Sequence, residues 1–337
     1  MTEQNDLLAQ TIEEDKNLLF GRVLDGQGGA RTIDWESAKT WTPEKPGEVL
    51  WLHLDRTQPD VMEWLRTGLD LPDATYDFLI SNDTRPRAFS EDGSLVATLR
   101  GVNFNPGAKP EDMIAMHIYA NEQRVLTLRR RRLQSPRDVM AALDEGHGPK
   151  TAGSLVTEVV EQLVVKVSSA ILNMNERLDH LENLDVEDDF DQALDDIAAI
   201  RRNCLALKRH MSPQHEALSS IGREMFSWMN EADRRDIREG IARLQRYLED
   251  LDVSKESALL IQDDLNSRAA SQSNKTMYLL SIVAAIFLPL GFITGLLGIN
   301  VGGMPGVDSA HAFWITVVLL VGLMGVQLYI FRKLKWL

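Results

Sequence analysis

Two uncharged apolar stretches stand almost back to back at the C-terminal end of this chain, and they decide what the rest can be. The first covers 276–299, where Tyr278 is the only ionisable side chain, and the second covers 312–331. A helix needs about 20 apolar residues to cross a bilayer core, and both stretches reach that length. Roughly 270 residues of ordinary water-soluble texture precede them. The expectation is a large soluble part followed by a two-helix membrane anchor.

Charge placement orients the anchor. Arg268 and Lys275 precede the first stretch, and Arg332, Lys333 and Lys335 follow the second, whereas the short connection 300–310 has no lysine or arginine and a single acid, Asp308. The positive-inside rule puts both termini in the cytoplasm and the connection outside. The polar, acidic residues 1–15 are not expected to act as a secretory leader.

Composition excludes several classes. The formal charge is −14, which argues against a nucleic-acid partner and suits a protein that gathers cations. Cys204 is the only cysteine, so neither an intrachain disulfide nor a paired-cysteine zinc motif can form. Phosphate-binding glycine loops, zinc-protease helices and nucleophile elbows are missing from the sequence, so no enzyme and no cofactor are expected. The run Arg129-Arg130-Arg131-Arg132 reads as a solvated strand end or a partner for nearby carboxylates. His210 and His215 are five apart with Pro213 between them, which is expected to break the helix and leaves no shared imidazole face. His311 opens the second span on the outer side and reads either as an interfacial side chain without a function or as a contact for an entering zinc.

Along the chain, 18–24, 49–54, 95–104, 113–120 and 124–128 have strand-like patterns, and 60–68 and 72–81 read as short helices. Beyond 148 the texture changes to long helical periodicity, with helices expected over 154–184 and 192–226 and from about Ala232 onward. The fold class is α+β, with boundaries at 1–150 for an α/β domain and 151–231 for a helical hairpin with an acidic tip. A stalk helix over 232–299 continues into the first span, 300–311 forms the outer loop, 312–331 the second span and 332–337 a basic tail.

The stalk carries two stripes. Ile237, Ile241, Leu244, Leu248, Leu251, Ala258 and Leu265 follow the 3-4 spacing of a helix packed in a bundle. Glu249, Glu256 and Asp263 are seven apart and lie about 200° away on the other side. Extending that acidic phase reaches Asn274 and then Met277, Ser281, Ala284, Leu288, Gly291 and Gly295. That face is either an ion path or the small-residue face of a membrane helix contact. Periodicity alone leaves both open. Eight acids between Glu182 and Asp196, without a base among them, read either as a cation-attracting collar or as a solvated turn.

Asn274, Pro289 within the first span, Gly298-Ile299-Asn300 at its end, a glycine-rich loop and a second terminal span together resemble the CorA family of divalent-cation transporters. The variant Gly298-Ile299-Asn300-Val301-Gly302-Gly303-Met304-Pro305-Gly306 is similar to the ZntB branch, associated with zinc. Segments 49–54, 83–87 and 125–129 also fall where the family has similar ones, so the resemblance covers about 18–337. It implies a homopentamer in a bacterial inner membrane, with the first span lining an axial pore and the second outside it against lipid. Asn300 would form an amide ring at the outer mouth, beside Gly298 and Ile299, and Asn274 one at the inner end. Met277, Ser281, Leu288 and Gly291 would line the path between them. Asp263, with Glu256 and Glu249, would draw cations into a funnel, and Asn300 and Asp263 are the expected metal contacts. The transported ion is zinc or another divalent cation. The departures from the magnesium-type pattern are Ile299 where Gly-Met-Asn has methionine, an outer loop with Asp308 as its only acid, and Ala285 and Gly291 where hydroxyls are common. A magnesium or cobalt channel is the alternative within the family, and a membrane-anchored sensor is the alternative outside it.

Overall fold

The computed structural model describes residues 17–183, 190–299, 306 and 309–334. They form two compact units, one ending at Ile261 and the other beginning at Gln262.

The first unit is built on a seven-stranded sheet. Its strands are β1 (Leu18–Leu24), β2 (Ala30–Thr32), β3 (Val49–Asp55), β4 (Arg87–Glu91), β5 (Ser94–Gly101), β6 (Ile114–Ala120) and β7 (Arg124–Arg129), in the spatial order β2-β1-β3-β7-β6-β5-β4. β3 and β7 run parallel, with Leu50 opposite Arg124 and Asp55 opposite Arg129, and the other pairs are antiparallel. β3 is buried on both faces from Val49 to Leu54, as a central parallel strand must be.

Leu50, Leu52 and Leu54 of β3 and Leu126 and Leu128 of β7 share a core with three short helices: α1 (Trp35–Lys39), α2 (Pro59–Thr67) and α3 (Asp73–Ile80). α4 (Ser135–Asp144) and the long helices α5 (Ala152–Glu182) and α6 (Phe190–Arg223) follow, and α5 and α6 pack against β5. A Cβ on Gly101, the last residue of β5, would lie 2.7 Å from a Leu133 methyl and 2.8 Å from a Leu163 methyl, so a larger residue there would have to push both side chains aside.

The helix termini have local causes. Thr151 Oγ1 accepts from the Ser154 amide at 3.1 Å while Ser154 Oγ accepts from the Thr151 amide at 2.9 Å, a reciprocal cap that starts α5. Asn230 and Asp233 exchange the same pair of bonds, both at 3.0 Å, at the start of α7 (Glu231–Leu297). Asp233 also packs against Gly153, leaving no room for a Cβ there.

Within the first unit α7 packs as its stripe requires. Ile237, Leu244, Leu248, Leu251 and Ala258 are buried, and only Ile241 of that set is half-buried. Arg243 pairs with Glu161 at 3.2 Å, Lys208 with Asp252 at 2.6 Å, and Ser254 Oγ donates to Asn175 at 2.7 Å, tying α7 to α5 and α6.

One expectation is corrected. Pro213 does not break the helix, because α6 runs unbroken from Phe190 to Arg223. Gln214 next to it is fully buried, and its Oε1 accepts from the Arg100 amide of β5 at 2.6 Å. Packing of this kind outweighs the missing backbone bond at the proline. β5 also ends at Gly101 rather than running to 104, and β2, β4, α1 and α4 had no expected counterpart.

The second unit contains the end of α7 and α8 (Ala312–Lys333). Both are long and apolar enough to cross a membrane. Of their apolar stretches only Ile282 and Phe331 are buried, so neither is the core helix of a soluble fold.

Candidate ion pathway

The sequence-selected residues of the first span lie along the continuous helix α7. Asn274, Met277, Ser281, Leu288 and Gly291 are all exposed. At 100° per residue they occupy an arc of about 100° on the helix surface. The Ser281 hydroxyl donates to the Met277 carbonyl at 2.8 Å, which satisfies its hydrogen and leaves oxygen lone pairs facing outward. Thr294 makes the equivalent bond to Leu290 at 3.1 Å.

Gly291 and Gly295 have no neighbour within the chain that demands a glycine, since a Cβ on either would meet nothing within 4 Å. Pro289 lies inside the helix, and the helix continues through it to Leu297. Gly298 closes α7, its amide donating to Thr294 O at 3.0 Å, and a Cβ there would stand 3.2 Å from that same carbonyl. Ile299 is exposed beyond it, and Asn300 lies outside the described residues.

Among the acids, Glu249 and Glu256 are exposed on the first unit, and Gln245 donates to Glu249 at 2.9 Å. Asp263 is exposed on the second unit and has no ion-pair partner among the described residues, whereas its neighbour Asp264 is held by Arg268 at 2.5 Å. Of the acidic run, Asp196 is bound to Arg177 at 2.7 Å, and 184–189 lie outside the described residues. Among the described residues no three His, Cys, Asp or Glu side chains come together as a metal site. His210 is half-buried, and its pKa is pushed down to about 4 by burial and then by Arg100 and Arg209. What this face offers is amide, hydroxyl and carbonyl oxygen, not a nitrogen or sulfur cage.

The chain is 38% identical to the divalent cation transporter CmaX of Pseudomonas aeruginosa, covering 96% of this chain and 98% of that one. It is 33% identical to the zinc transport protein ZntB of Yersinia enterocolitica serotype O:8, covering 98% of this chain and 100% of that one. The structure of full-length CmaX superposes with a TM-score of 0.80 at 38% identity, covering 95% of this chain and 98% of that one. The family model described as CorA-like Mg2+ transporter protein matches residues 46–333, so the chain, a membrane protein with two candidate spans, belongs to the CorA family.

Proposed function

We propose that this protein transports divalent metal cations, zinc foremost, through a pore lined by the membrane part of α7. The observation that carries the reading is the face of that helix. It presents Asn274 and Ser281 exposed and Gly291 and Gly295 with nothing near a Cβ, and no packing neighbour among the described residues demands the two glycines. A homopentamer supplies the rest: five copies of α7 around one axis, with α8 outside against lipid. Divalent cation transport by CmaX and zinc transport by ZntB support the substrate class.

In this reading the protein sits in a bacterial inner membrane with both termini in the cytoplasm. Residues 1–150 form the cytoplasmic domain, 151–231 the hairpin and 232–299 the stalk and pore helix. Asn300 rings the outer mouth beside Gly298 and Ile299, Asn274 rings the inner end, and Met277, Leu288 and Gly291 line the path between. Asp263, aided by Glu256 and Glu249, concentrates cations below the pore. Neutral amide oxygens hold a cation that keeps part of its water shell, since stripping the shell demands charged ligands. Glu, Asp and His are absent from both spans, so a proton-coupled mechanism has to use groups at the pore mouths or in the funnel.

The test is metal flux in proteoliposomes with zinc, cobalt, nickel and cadmium, at fixed voltage with and without a pH gradient. Saturable zinc flux is expected. Absence of flux for all four ions overturns the reading, and abolition of zinc flux by millimolar magnesium assigns the pore to magnesium instead.

A further inference from the structure

The first unit holds a strongly basic cleft that ion conduction does not use. Its volume is about 560 Å³, and its lining includes Arg56, Arg100, Arg130, Arg131, His117 and Thr84. Topology puts them together. Arg56 directly follows β3 and Arg130 directly follows β7, the one parallel pair among the described strands. Arg100 at the end of β5 and Ala115 at the start of β6 face each other in register at the same edge. Ligands of open α/β sheets bind outside the carboxyl ends of parallel strands.

The charges there are not paired off. Arg56 is 6% exposed, yet it forms no ion pair among the described residues. It donates to the carbonyls of Ile80 at 3.3 Å and Ser81 at 2.6 Å and to Nε2 of His117. Arg100 donates to the carbonyls of Thr84 at 2.9 Å and Met113 at 2.8 Å. Among the described residues Arg130 reaches the Asn82 amide oxygen at 3.2 Å and forms no ion pair, and Arg131 is exposed.

Burial, and then the Arg130 charge, pull the Arg56 guanidinium below its usual value. His117 is pushed down to about 3 by burial and then by Arg56 and Arg87, so it stays neutral and accepts from Arg56. Asp83 is the acid acting on His117 and Arg100, and it pairs with neither among the described residues. In a chain of net charge −14, four arginines line this cleft with no carboxylate among its lining residues, and nearby Asp83 forms an ion pair with none of them among the described residues, an arrangement that favours another anion.

We propose that this cleft binds a phosphate-bearing small anion, the planar guanidiniums of Arg130 and Arg131 gripping phosphoryl oxygens at the rim while Arg56 and Arg100 set the positive field beneath. Guanidinium forks match phosphate geometry bidentately, and the volume falls in the range of small-molecule sites rather than that of a bare ion.

Isothermal titration calorimetry of the full-length protein in detergent tests this. The buffer is free of divalent cations and its ionic strength is held with KCl, so failure here leaves the transport reading untouched. The probes are inorganic phosphate and ADP. Saturable binding is expected, at least tenfold weaker in the R130A/R131A double variant and unchanged in R246A, an exposed arginine outside the cleft. ADP binding at least tenfold tighter than phosphate identifies a phosphorylated small molecule as the occupant, and equal affinities identify free phosphate. No saturable heat from either probe, or wild-type affinity in R130A/R131A, overturns the proposal.

Discussion

Lowering the pH from 7.5 to 5.5 should destabilise the first unit through two buried histidines. His53 is 2% exposed and His117 is 1% exposed. Each accepts from a guanidinium through Nε2, His53 from Arg129 at 3.0 Å and His117 from Arg56. Each has Nδ1 2.9 Å from a threonine hydroxyl, Thr127 for His53 and Thr98 for His117. Protonating either Nε2 would oppose two like charges and break the acceptor bond.

Burial first, and then Arg129 and Arg137, hold His53 well below the usual value. His117 is held at about 3. Both folded-state values are depressed, so the unfolded chain binds protons that the folded one refuses. Stability is therefore full above the unfolded value near 6.5 and falls as pH drops from there toward the folded values. One pH unit below 6.5, each histidine costs about 1.4 kcal/mol, or about 2.7 kcal/mol for the two. At roughly 2–4 °C per kcal/mol for a unit of this size, Tm should drop by about 5–11 °C.

Tryptophan fluorescence during heating of the detergent-solubilised protein is the assay. Trp51 is fully buried, and its Nε1 donates to Thr127, the hydroxyl that His53 also meets. H117Q keeps an acceptor for Arg56 and should lose about half of the pH-dependent drop. A Tm unchanged across the range, or an undiminished drop in H53Q/H117Q, refutes the reasoning.

Four further outcomes are expected. Asn300→Ala should abolish or strongly reduce metal flux in proteoliposomes while the oligomer still assembles on size-exclusion chromatography; wild-type flux removes Asn300 from the pore mouth. Asp263→Asn should lower flux and flatten its dependence on ionic strength, because neutralising an exposed carboxylate weakens a screened field; an unaltered salt series makes Asp263 a solvated surface acid. Zinc, cobalt, nickel and cadmium should compete within about an order of magnitude of one another, since oxygen ligands do not select zinc; a structure with zinc held by His311 and carboxylates would contradict this. Leu244→Ala, at a fully buried position of α7, should cost about 2–5 kcal/mol in chemical denaturation, and a cost below about 1 kcal/mol would deny α7 its place in the core.

Much of the architecture was legible because it rests on periodicity. The apolar lengths of 276–299 and 312–331, the buried seam of α7 and the strand over Leu18–Leu24 each repeat a simple rule over enough residues to be seen. Short elements escaped for the opposite reason. β2 has three residues and α1 five, too few for any period to register. α4 did carry a signal, Pro136 in its first turn and then Val139 and Leu143 four apart on its buried side.

The candidate ion path is a property of one helix, so its residues could be chosen from spacing alone. In the proposed homopentamer the path would lie between copies, and within one chain that face is exposed. The basic cleft is the reverse case. Arg56, Arg100, His117 and Arg130 are dispersed over some 75 positions and share no spacing, so Arg129–Arg132 read as a solvated strand end. Only the parallel pairing of β3 with β7 and the antiparallel return of β6 and β5 bring them to one edge. Sequence alone determined where this protein meets the membrane and which faces of its long helix are apolar, because both follow from local repeats. Tertiary structure alone decided that α6 runs on through Pro213 and that uncompensated arginines meet in one cleft, because both depend on what distant strands place beside them.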